Sequence, residues 1–445
     1  MKILVLGAGE IGFTLTKRLS AENDITLIET DPQKARRASE QLDAFVIEGD
    51  AGSYAVLQKA GLENVDVLTA MTNHDELNLL ACQMAKRVGV ETTIARVRNA
   101  EYTRPDFIIP REELGADLII HPEKHTADAI RRLIRQSTAT DVIDFADGKI
   151  QLVGLRLDSN APMLRTPLKE LGPEITDLPF RIVAINRKEQ TLIPRGDDVL
   201  AAGDQIFIIC DPEHIGDIVK AFGKVDTTIG NVMILGGGLI GQAIAEALPR
   251  DINIKIVESS AEKSHRIADQ LQNCLIIHGD GTDIDLLAVE GLMDMDAFIA
   301  VTGSDETNII STLVARHLQV PRTIALVNNL DYMPITPTIG MDAVVSKQLL
   351  TVNAVHRYIR HKKIASMATL PGVDAQVIEY IASEKSKITR KPLRQFSFPQ
   401  HAILGAILHE DRAVIPRGDT QIAPGDRVVV FSLPRALDDV ERFFK

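Results

Sequence analysis

The chain has 445 residues, of which 45% are hydrophobic and 25% are charged, and its formal net charge is -12. At about 150 residues per domain this length predicts two to four domains, and the composition is that of a globular protein. The acidic charge argues against a nucleic-acid-binding protein, because such proteins normally carry a basic face.

The apolar runs of the chain are short. Even "RVVVFSL" at 427–433 falls far below the roughly 20 residues that a membrane-spanning helix needs. The N-terminal "MKILVLGAGE" passes directly into a predicted strand and leaves no room for a signal peptide. Cys82, Cys210 and Cys274 are isolated and odd in number, which is typical of buried thiols in a reducing compartment. The sequence therefore predicts a cytoplasmic protein with no direct membrane insertion.

The first predicted strand, "KILVLG", leads into the motif Gly-x-Gly-x-x-Gly. In such a motif Gly7 allows the tight turn, Gly9 lets the backbone approach a pyrophosphate, and Gly12 lets the next helix pack closely on the strand. The N-terminus of that helix directs its free N–H groups and its positive dipole end at the phosphates. Glu29 ends the second strand, where an acid bonds a ribose 2′-hydroxyl. The pattern predicts nucleotide binding and favours NAD(H) or an ATP/ADP-type nucleotide over NADP(H).

Four further polar residues lie at or just after the ends of the next strands of this unit. Asp50 lies in a "GD" turn, where it could contact the nucleoside or serve as an ordinary turn residue. Asp75 precedes "ELNLLACQMAKRV", and we expect it to cap that helix. Arg96 and Arg98 end a strand whose carboxyl end borders the ligand crevice, so they could hold phosphate charge or form surface salt bridges.

This unit occurs twice in the chain. "LGAGEIG" at 6–12 is answered by "LGGGLIG" at 235–241, and after one inserted residue "VDVLTAMTNHDELN" at 65–78 is answered by "MDAFIAVTGSDETN" at 295–308. Each copy alternates strands and helices, which predicts a parallel sheet covered on both faces. Asp305, the counterpart of Asp75, is likewise predicted to cap a helix.

The copies differ where charge matters. Leu326 and Asn328 stand at the counterparts of Arg96 and Arg98, so the first site could hold phosphate charge that the second cannot. It remains open from the residues whether both sites take the same nucleotide.

The stretches after each copy have a different sequence pattern, in which Pro and Gly separate short segments rich in β-branched residues. "IPRGD" at 193–197 returns at 415–419, so these stretches also repeat. We predict an α/β protein with two tandem Rossmann-like, doubly wound parallel-sheet domains, each followed by a small α+β domain. The predicted domains are 1–139 (Rossmann-like, with a bridging helix), 140–222 (small), 223–363 (Rossmann-like, with a bridging helix) and 364–445 (small).

Two motifs suggest other chemistry. His121 and His125 are four residues apart in "HPEKH" but lack a third ligand, so we predict no metal site. Tyr358 and Lys362, with Ser346 upstream, are similar to the catalytic set of short-chain dehydrogenases, although that family uses a different glycine spacing. A dehydrogenase with tandem Rossmann domains is therefore one alternative, and a structural scaffold with vestigial sites is another.

The tandem order resembles the RCK (regulator of K⁺ conductance) family, as found in the peripheral subunits of bacterial Trk potassium-uptake systems. "GAGEIG" with "LIETD", "GGGLIG" with "IVES", the "GD" turns and the paired "IPRGD" segments carry the resemblance, which covers the whole chain. It implies a regulator without catalytic turnover that controls a membrane potassium-translocating subunit from the cytoplasmic side of the inner membrane. It also implies a homotetrameric ring, with NAD(H) and ATP or ADP as ligands.

The candidate cofactor-binding residues come from both copies. In the first copy they are Gly7, Gly9, Glu10, Ile11, Gly12, Glu29, Asp50 and Arg98. In the second copy they are Gly236, Gly238, Leu239, Ile240, Gly241, Glu258 and Asp280. We predict no catalytic residue.

Overall fold

The computed structural model describes residues 1–104, 106–171, 175, 177–188, 190–333, 335–359, 364–370 and 373–445. Contacts within the chain divide it into two compact units. The first unit comprises Met1–His125 with Lys347–Ile359, and the second comprises Thr126–Ser346 with Arg360–Lys445.

The secondary-structure elements follow the alternation expected from the sequence. The β-strands are β1 (Lys2–Leu6), β2 (Asp24–Glu29), β3 (Phe45–Glu48), β4 (Val67–Ala70), β5 (Thr92–Arg96), β6 (Leu118–Ile120), β7 (Ala139–Phe145), β8 (Ile150–Arg156), β9 (Phe180–Arg187), β10 (Gln190–Leu192), β11 (Gln205–Cys210), β12 (Asn231–Leu235), β13 (Asn253–Glu258), β14 (Cys274–His278), β15 (Ala297–Ala300), β16 (Arg322–Leu326), β17 (Ala343–Val345), β18 (Ile364–Thr369), β19 (Gln376–Ile381), β20 (Ala402–His409), β21 (Arg412–Val414) and β22 (Arg427–Ser432). The α-helices are α1 (Glu10–Leu19), α2 (Pro32–Gln41), α3 (Tyr54–Lys59), α4 (Asp75–Val88), α5 (Pro122–Arg135), α6 (Ile215–Ala221), α7 (Leu239–Ala247), α8 (Ala261–Gln270), α9 (Ile284–Val289), α10 (Asp305–His317), α11 (Thr336–Ile339), α12 (Lys347–Ile359) and α13 (Leu437–Phe444).

The first unit is built on a parallel sheet with the strand order β3-β2-β1-β4-β5-β6. Its central strand β1 buries residues on both faces: Leu4 and Leu6 pack into one hydrophobic cluster, and Ile3 and Val5 pack into another. Successive side chains of a strand point to opposite faces, so an uninterrupted apolar strand requires cover on both sides. This order puts the carboxyl ends of β1 and β4 side by side, where the connections change direction and a crevice forms.

The residues of the second unit that the structure describes form three sheets. One is parallel and repeats the same order as β14-β13-β12-β15-β16-β17, while the other two are antiparallel, with orders β10-β9-β11-β8-β7 and β18-β19-β22-β20-β21. The two antiparallel sheets share one core, in which Phe145 and Phe207 pack in the same cluster as Val377 and Phe431. The predicted α/β fold class, with two doubly wound domains and two small α+β domains, is confirmed.

Helix α12 packs within the first unit. Its residues Val352 and Val355 join the cluster that contains Leu15 of α1, and Thr14 Oγ1 donates a hydrogen bond of 3.0 Å to Gln348 Oε1. The predicted boundaries assigned this helix to residues 223–363. The sequence shows that the helix has an apolar face, but periodicity alone does not tell which sheet that face covers.

Candidate functional site

The first glycine loop has the geometry that its motif requires. Gly7 links β1 to α1 with a φ of +95°, in the left-handed region that favours glycine. A Cβ atom on Gly12 would lie 1.9 Å from the carbonyl oxygen of Gly7, so only glycine allows α1 to pack this closely. A Cβ atom on Gly9, by contrast, would have no heavy atom within 4 Å. The middle glycine therefore borders open space at the start of the helix.

The second glycine loop reproduces this geometry. Gly236 has a φ of +107°, and a Cβ atom on Gly241 would lie 2.0 Å from the carbonyl oxygen of Gly236. Gly238 again borders open space. Two loops with the same three geometric roles lie in one chain.

The first N–H groups of helices α1 and α7 receive no hydrogen bond acceptor from an N-cap side chain. Gly9 and Gly238 occupy the N-cap positions and have no side chain to accept a hydrogen bond, so the first N–H groups are available to an anion. Among the other predicted site residues, Ile11 and Ile240 are buried, so only their backbone N–H groups could contact a ligand. Glu10 and Leu239 have exposed side chains.

The acids at the ends of β2 and β13 hold the glycine loops. Glu29 Oε2 accepts a hydrogen bond of 2.5 Å from the N–H of Ala8, and its Oε1 accepts one of 2.9 Å from the N–H of Asp31. Glu258 does the same with the N–H groups of Gly237 and Ser260, at 3.1 Å and 2.9 Å. A carboxylate can accept about four hydrogen bonds, so each acid retains acceptor capacity for a ribose hydroxyl.

Asp50 and Asp280 are exposed turn residues. Asp50 Oδ1 accepts a hydrogen bond of 2.8 Å from the N–H of Gly52. Asp280 Oδ1 accepts hydrogen bonds from the N–H and the hydroxyl of Thr282, which lower the pKa of this carboxyl. The turn role that the sequence left open is thus present in both copies.

The capping role predicted for Asp75 and Asp305 is wrong. The N-cap positions of α4 and α10 are one residue earlier, at His74 and Ser304, and in α10 the side chain of Ser304 accepts the capping bond. Both acids lie in the first turn of their helix, and their carboxylates bond to the loop that follows the neighbouring strand instead.

Each of these acids holds the loop that follows a strand. Asp75 accepts hydrogen bonds from the N–H groups of Arg98, at 3.0 Å, and Asn99, at 2.8 Å. Asp305 accepts the corresponding bonds from Asn328 and Asn329. The backbone after β5 and after β16 is therefore fixed from the neighbouring helix, at the edge where a ligand would lie.

A buried asparagine in each copy joins two strand ends. Asn78 Nδ2 donates to the carbonyl oxygen of Thr72, at 3.1 Å, and to that of Arg96, at 2.8 Å. Asn308 makes the same two bonds after β15 and β16. The sequence analysis missed this pair, although the Asn that ends both aligned segments was a signal for it.

Two arginines distinguish the first copy. Arg96 is buried, and its Nη1 donates a hydrogen bond of 2.8 Å to Asn73 Oδ1. Burial lowers the pKa of Arg96, while the nearby Glu123 carboxylate raises it. Arg96 and Arg98 each have a guanidinium nitrogen 3.9 Å from Glu123 Oε1. The residues in the corresponding strand and loop of the second copy, Leu326 and Asn328, are uncharged.

The described residues of the motifs that suggested other chemistry lie on or beside helices α5 and α12. His121 Nε2 lies 2.9 Å from Thr103 Oγ1, and burial lowers the pKa of this histidine. Within the described part of the chain no group of three or more His, Cys, Asp or Glu could hold a metal ion. Tyr358 lies in α12 against the first unit's core, and Lys362 falls outside the described residues.

Among the helices that the structure describes, none combines the length and hydropathy needed to cross a bilayer.

Comparison with protein families identifies both kinds of domain. The TrkA-N domain family matches residues 3–122 and 232–347, and the TrkA-C domain family matches residues 152–223 and 377–445. The chain belongs to the TrkA family of potassium-uptake proteins. It is 35% identical to Trk system potassium uptake protein TrkA homolog 1 of Methanosarcina mazei over the full length of both chains. It is 34% identical to Trk system potassium uptake protein TrkA of Halomonas elongata, over 100% of this chain and 99% of the other.

Solved structures share the tandem fold of this TrkA-family chain. The GsuK channel bound to NAD matches with a TM-score of 0.64 and 20% identity, over 100% of this chain and 78% of the channel chain. The GsuK RCK domain matches with a TM-score of 0.63 and 18% identity, over 100% of this chain and 94% of that one. At these identities the similarity establishes the RCK fold.

Proposed function

We propose that this protein is a nucleotide-responsive regulatory subunit of a potassium-uptake system. In this proposal NAD(H), and ADP or ATP, bind at the carboxyl edges of the two parallel sheets. Their binding changes how the protein acts on a membrane potassium-translocating subunit, with no chemical turnover of the nucleotide. The protein would act as a homotetrameric ring on the cytoplasmic side of the inner membrane.

The observation that carries this proposal is the duplicated glycine loop. Both Gly9 and Gly238 leave open space in front of an uncapped helix N-terminus, which is the arrangement that binds a pyrophosphate. Glu29 and Glu258 end the second strands, where the motif expects the contact to a ribose hydroxyl, and each retains acceptor capacity. The names of its relatives in Trk systems support a role in potassium uptake, and the NAD-bound GsuK channel supports the choice of ligand.

The energy that such a switch demands is modest. A ligand shifts a conformational equilibrium only by its differential affinity for the two states, and moving it from 1:99 to 99:1 takes about 5.5 kcal/mol. A ring of four chains would carry eight such sites. Shared among eight coupled sites, the demand is about 0.7 kcal/mol per site. Duplication of the loop therefore lets weakly discriminating sites drive a large change together.

The experiment is potassium uptake at limiting external potassium in cells that lack this protein. The wild type should restore uptake, and the Gly9→Asp/Gly238→Asp double variant should not, because each new carboxylate occupies the path of a pyrophosphate. Gly216→Asp in α6 is the matched control, because it also adds a carboxylate in open space, in a helix that belongs to neither glycine loop. It should restore uptake as the wild type does.

Binding measurements on the purified chains complete this test. NADH and ADP should bind to the wild type and to Gly216→Asp, and should not bind measurably to the double variant. Unchanged affinity in the double variant, or deletion of the protein without effect on potassium uptake, would refute the proposal.

A further inference from the structure

Asp141 lies where the first small domain, which contains β7–β11, meets the second nucleotide domain, which contains β12–β17. The two domains line a cavity of about 30 Å³. Asp141, Arg156 and Gln205 border it from the small domain, and Thr336 and Asp342 border it from the nucleotide domain. A cavity of this size holds no more than about two water molecules. The Asp141 carboxyl is therefore poorly hydrated while the two domains are in contact.

The neighbouring strand leaves the space that this carboxyl occupies. Asp141 in β7 lies opposite Gly154 in β8. A Cβ atom on Gly154 would be 2.8 Å from Asp141 Oδ2 and 2.5 Å from Thr140 Oγ1, so a side chain there would displace the acid. Asp141 Oδ2 accepts hydrogen bonds from Thr140 Oγ1, at 2.8 Å, and from Gln205 Nε2, at 2.9 Å. Both donors are neutral, so neither offsets the charge of an ionised Asp141.

The second small domain places its buried acid beside a permanent cation. In the strand pairing, Glu379 of β19 takes the place that Gly154 of β8 has in the first small domain. Arg427, the counterpart of Gln205, donates a hydrogen bond from its Nε to Glu379 Oε1. The acid of the first small domain thus has a neutral glutamine where the acid of the second has an arginine.

Charged groups surround the contact from both domains. They are Arg156 in β8, Asp226 in the linker before β12, Arg316 in α10, Arg322 in β16 and Asp342 just before β17. Burial raises the pKa of the Asp141 carboxyl to about 6, against the lowering effect of its hydrogen bonds and of the charges of Arg322 and Arg156. Asp342 and Asp226 also interact with Arg322, so this arginine is shared among three acids. The ionised form of Asp141 is therefore disfavoured while the domains are in contact.

Arg322 is buried at the same contact from the other side. Its Nη2 donates a hydrogen bond to the carbonyl oxygen of Ala139, at the start of β7. Its Nε is buried and has no hydrogen-bond partner in the part of the chain that the structure describes. A buried donor without a partner costs free energy that hydration would recover. Separation of the two domains would thus hydrate both Arg322 and Asp141.

Hydration links this contact to pH. When the domains separate, the Asp141 carboxyl enters water and its pKa returns towards the ordinary value of about 3.9. The carboxyl then binds its proton more tightly in the contact state than in the separated state. By linkage, acid favours the contact, and the contact weakens as the pH rises from about 4 through about 6.

We propose that Asp141 is a proton-operated release between the first small domain and the second nucleotide domain. The protonated carboxyl is tolerated at the contact, and the ionised carboxylate favours separation of the two domains. This inference goes beyond the proposed function, because it concerns the joint between two domains and does not depend on nucleotide binding. It makes the chain responsive to acidification as well as to a ligand.

The test measures the ratio of separated to closed chains by single-molecule fluorescence energy transfer in the full-length protein. Dyes at Glu213→Cys and Glu262→Cys, two exposed positions, report the distance between the two domains. Cys274→Ser removes the partly exposed thiol, and labelled chains are diluted with unlabelled ones. With a pKa of about 6 in contact and about 3.9 apart, the ratio should rise about tenfold from pH 5 to pH 7.5.

Three variants assign this response to Asp141. Asp141→Asn removes the titrating group and should give the same ratio at pH 5 and pH 7.5. Gln205→Arg supplies the cation that Glu379 has, and it should also abolish the response, because the carboxyl then stays ionised in both states. Asp144→Asn is the matched control, since it removes another acid of β7, and it should retain the tenfold rise.

The opposing outcomes are specific. A wild-type ratio that stays constant or falls as the pH rises would overturn the proposal, and so would a tenfold rise that persists in Asp141→Asn. Loss of the response in Asp144→Asn would show that it does not belong to Asp141. A thermal melt at pH 7.5 checks that each variant is folded. If Asp141→Asn is unfolded, Gln205→Arg decides, and a tenfold rise retained there would overturn the proposal.

Discussion

The two nucleotide domains share their backbone and differ in their charge. Both have a positive-φ first glycine, an open second glycine and a third glycine packed against the first. Both also hold the strand-end loops with an aspartate and a buried asparagine. Only the first has two arginines and a glutamate at the end of its sheet. Duplication has kept the backbone geometry that the loop needs in order to form and has changed the charge at the end of the sheet.

The largest effect is expected from substitutions that disturb the backbone geometry shared by the two glycine loops. Gly12→Ala would place a Cβ atom 1.9 Å from the Gly7 carbonyl oxygen, and Gly241→Ala would do the same in the second loop at 2.0 Å. Both substitutions should destabilise their domains by about 3 kcal/mol, as overpacking of a tight contact does. Urea unfolding of each variant measures the effect.

The middle glycine supplies the control for this prediction. Gly9→Ala adds the same methyl group in open space at a φ of −63°, so it should change the stability by less than about 0.5 kcal/mol. If Gly12→Ala were as stable as Gly9→Ala, the packing role of the third glycine would be excluded. If only one of Gly12→Ala and Gly241→Ala destabilised the protein, the two glycine loops would not be equivalent in their packing.

The next prediction sharpens the difference in charge. Arg98 has a half-exposed side chain at the end of the first sheet, and its counterpart is the neutral Asn328. In the Gly238→Asp background, Arg98→Asn should weaken ADP binding about tenfold, because one charge-assisted bond to a phosphate is lost. Calorimetry measures the dissociation constant.

The matched experiment is made on the second copy. In the Gly9→Asp background, Asn328→Ala removes a neutral group and should change ADP affinity by less than about twofold. A tenfold loss there, or none in Arg98→Asn, would show that the charge difference does not distinguish the sites.

Much of this arrangement is readable from the sequence because it depends on local backbone requirements. The glycine motifs, the acids of β2 and β13, and the strand order follow from spacing, from helix-terminus physics and from the rules of parallel sheets. The repeat made these signals stronger, because the same residue types recur at the matching positions of the second copy. The roles of Gly7 and Gly12 illustrate this, because chain geometry alone fixes them.

The remaining features depend on contacts distant in sequence. The sequence predicted that Asp75 caps a helix, because an acid just before a helix often accepts the capping hydrogen bond. Instead its carboxylate accepts a hydrogen bond from the N–H of Arg98, 23 positions away. Glu123 gave no signal, because its ion pairs are with Arg96 at the end of β5 and Arg98 in the following loop, both distant in sequence. The packing of α12 on α1 was likewise not encoded in periodicity.

The comparison extends to the small domains, where one buried aspartate has a different partner in each copy. Asp204 accepts two hydrogen bonds from Arg187, at 2.8 Å and 2.6 Å. Its counterpart Asp426 interacts with His409, with Nδ1 at 2.7 Å from Oδ1. Each aspartate also accepts a backbone N–H from the preceding turn. Arg187 keeps its charge across the range in which a histidine titrates, whereas His409 is charged only when it is protonated.

The smallest predicted effect follows from this difference. The hydrogen bond to Asp426 and the charge of that carboxylate raise the pKa of His409 above its ordinary value, with Glu410 adding to the shift. Because the pKa of His409 in the folded state lies above the unfolded value of about 6.5, the pair stabilises the folded state fully below that unfolded value. That stabilisation is lost as the pH rises through the folded-state pKa. We therefore expect the wild-type melting temperature to fall slightly more between pH 6 and pH 9 than that of His409→Arg.

The reciprocal substitution tests whether the partner alone carries this pH dependence. Arg187→His gives the first small domain the same titratable pair with Asp204, and it should add a second decrease in melting temperature over the same range. Arg412 lies opposite residue 409 across β20 and β21 in the wild type and in His409→Arg alike, so it does not distinguish the two proteins. Identical pH profiles for the wild type and His409→Arg would mean that this exposed pair does not contribute, and the two small domains would then be electrostatically equivalent although their nucleotide domains are not.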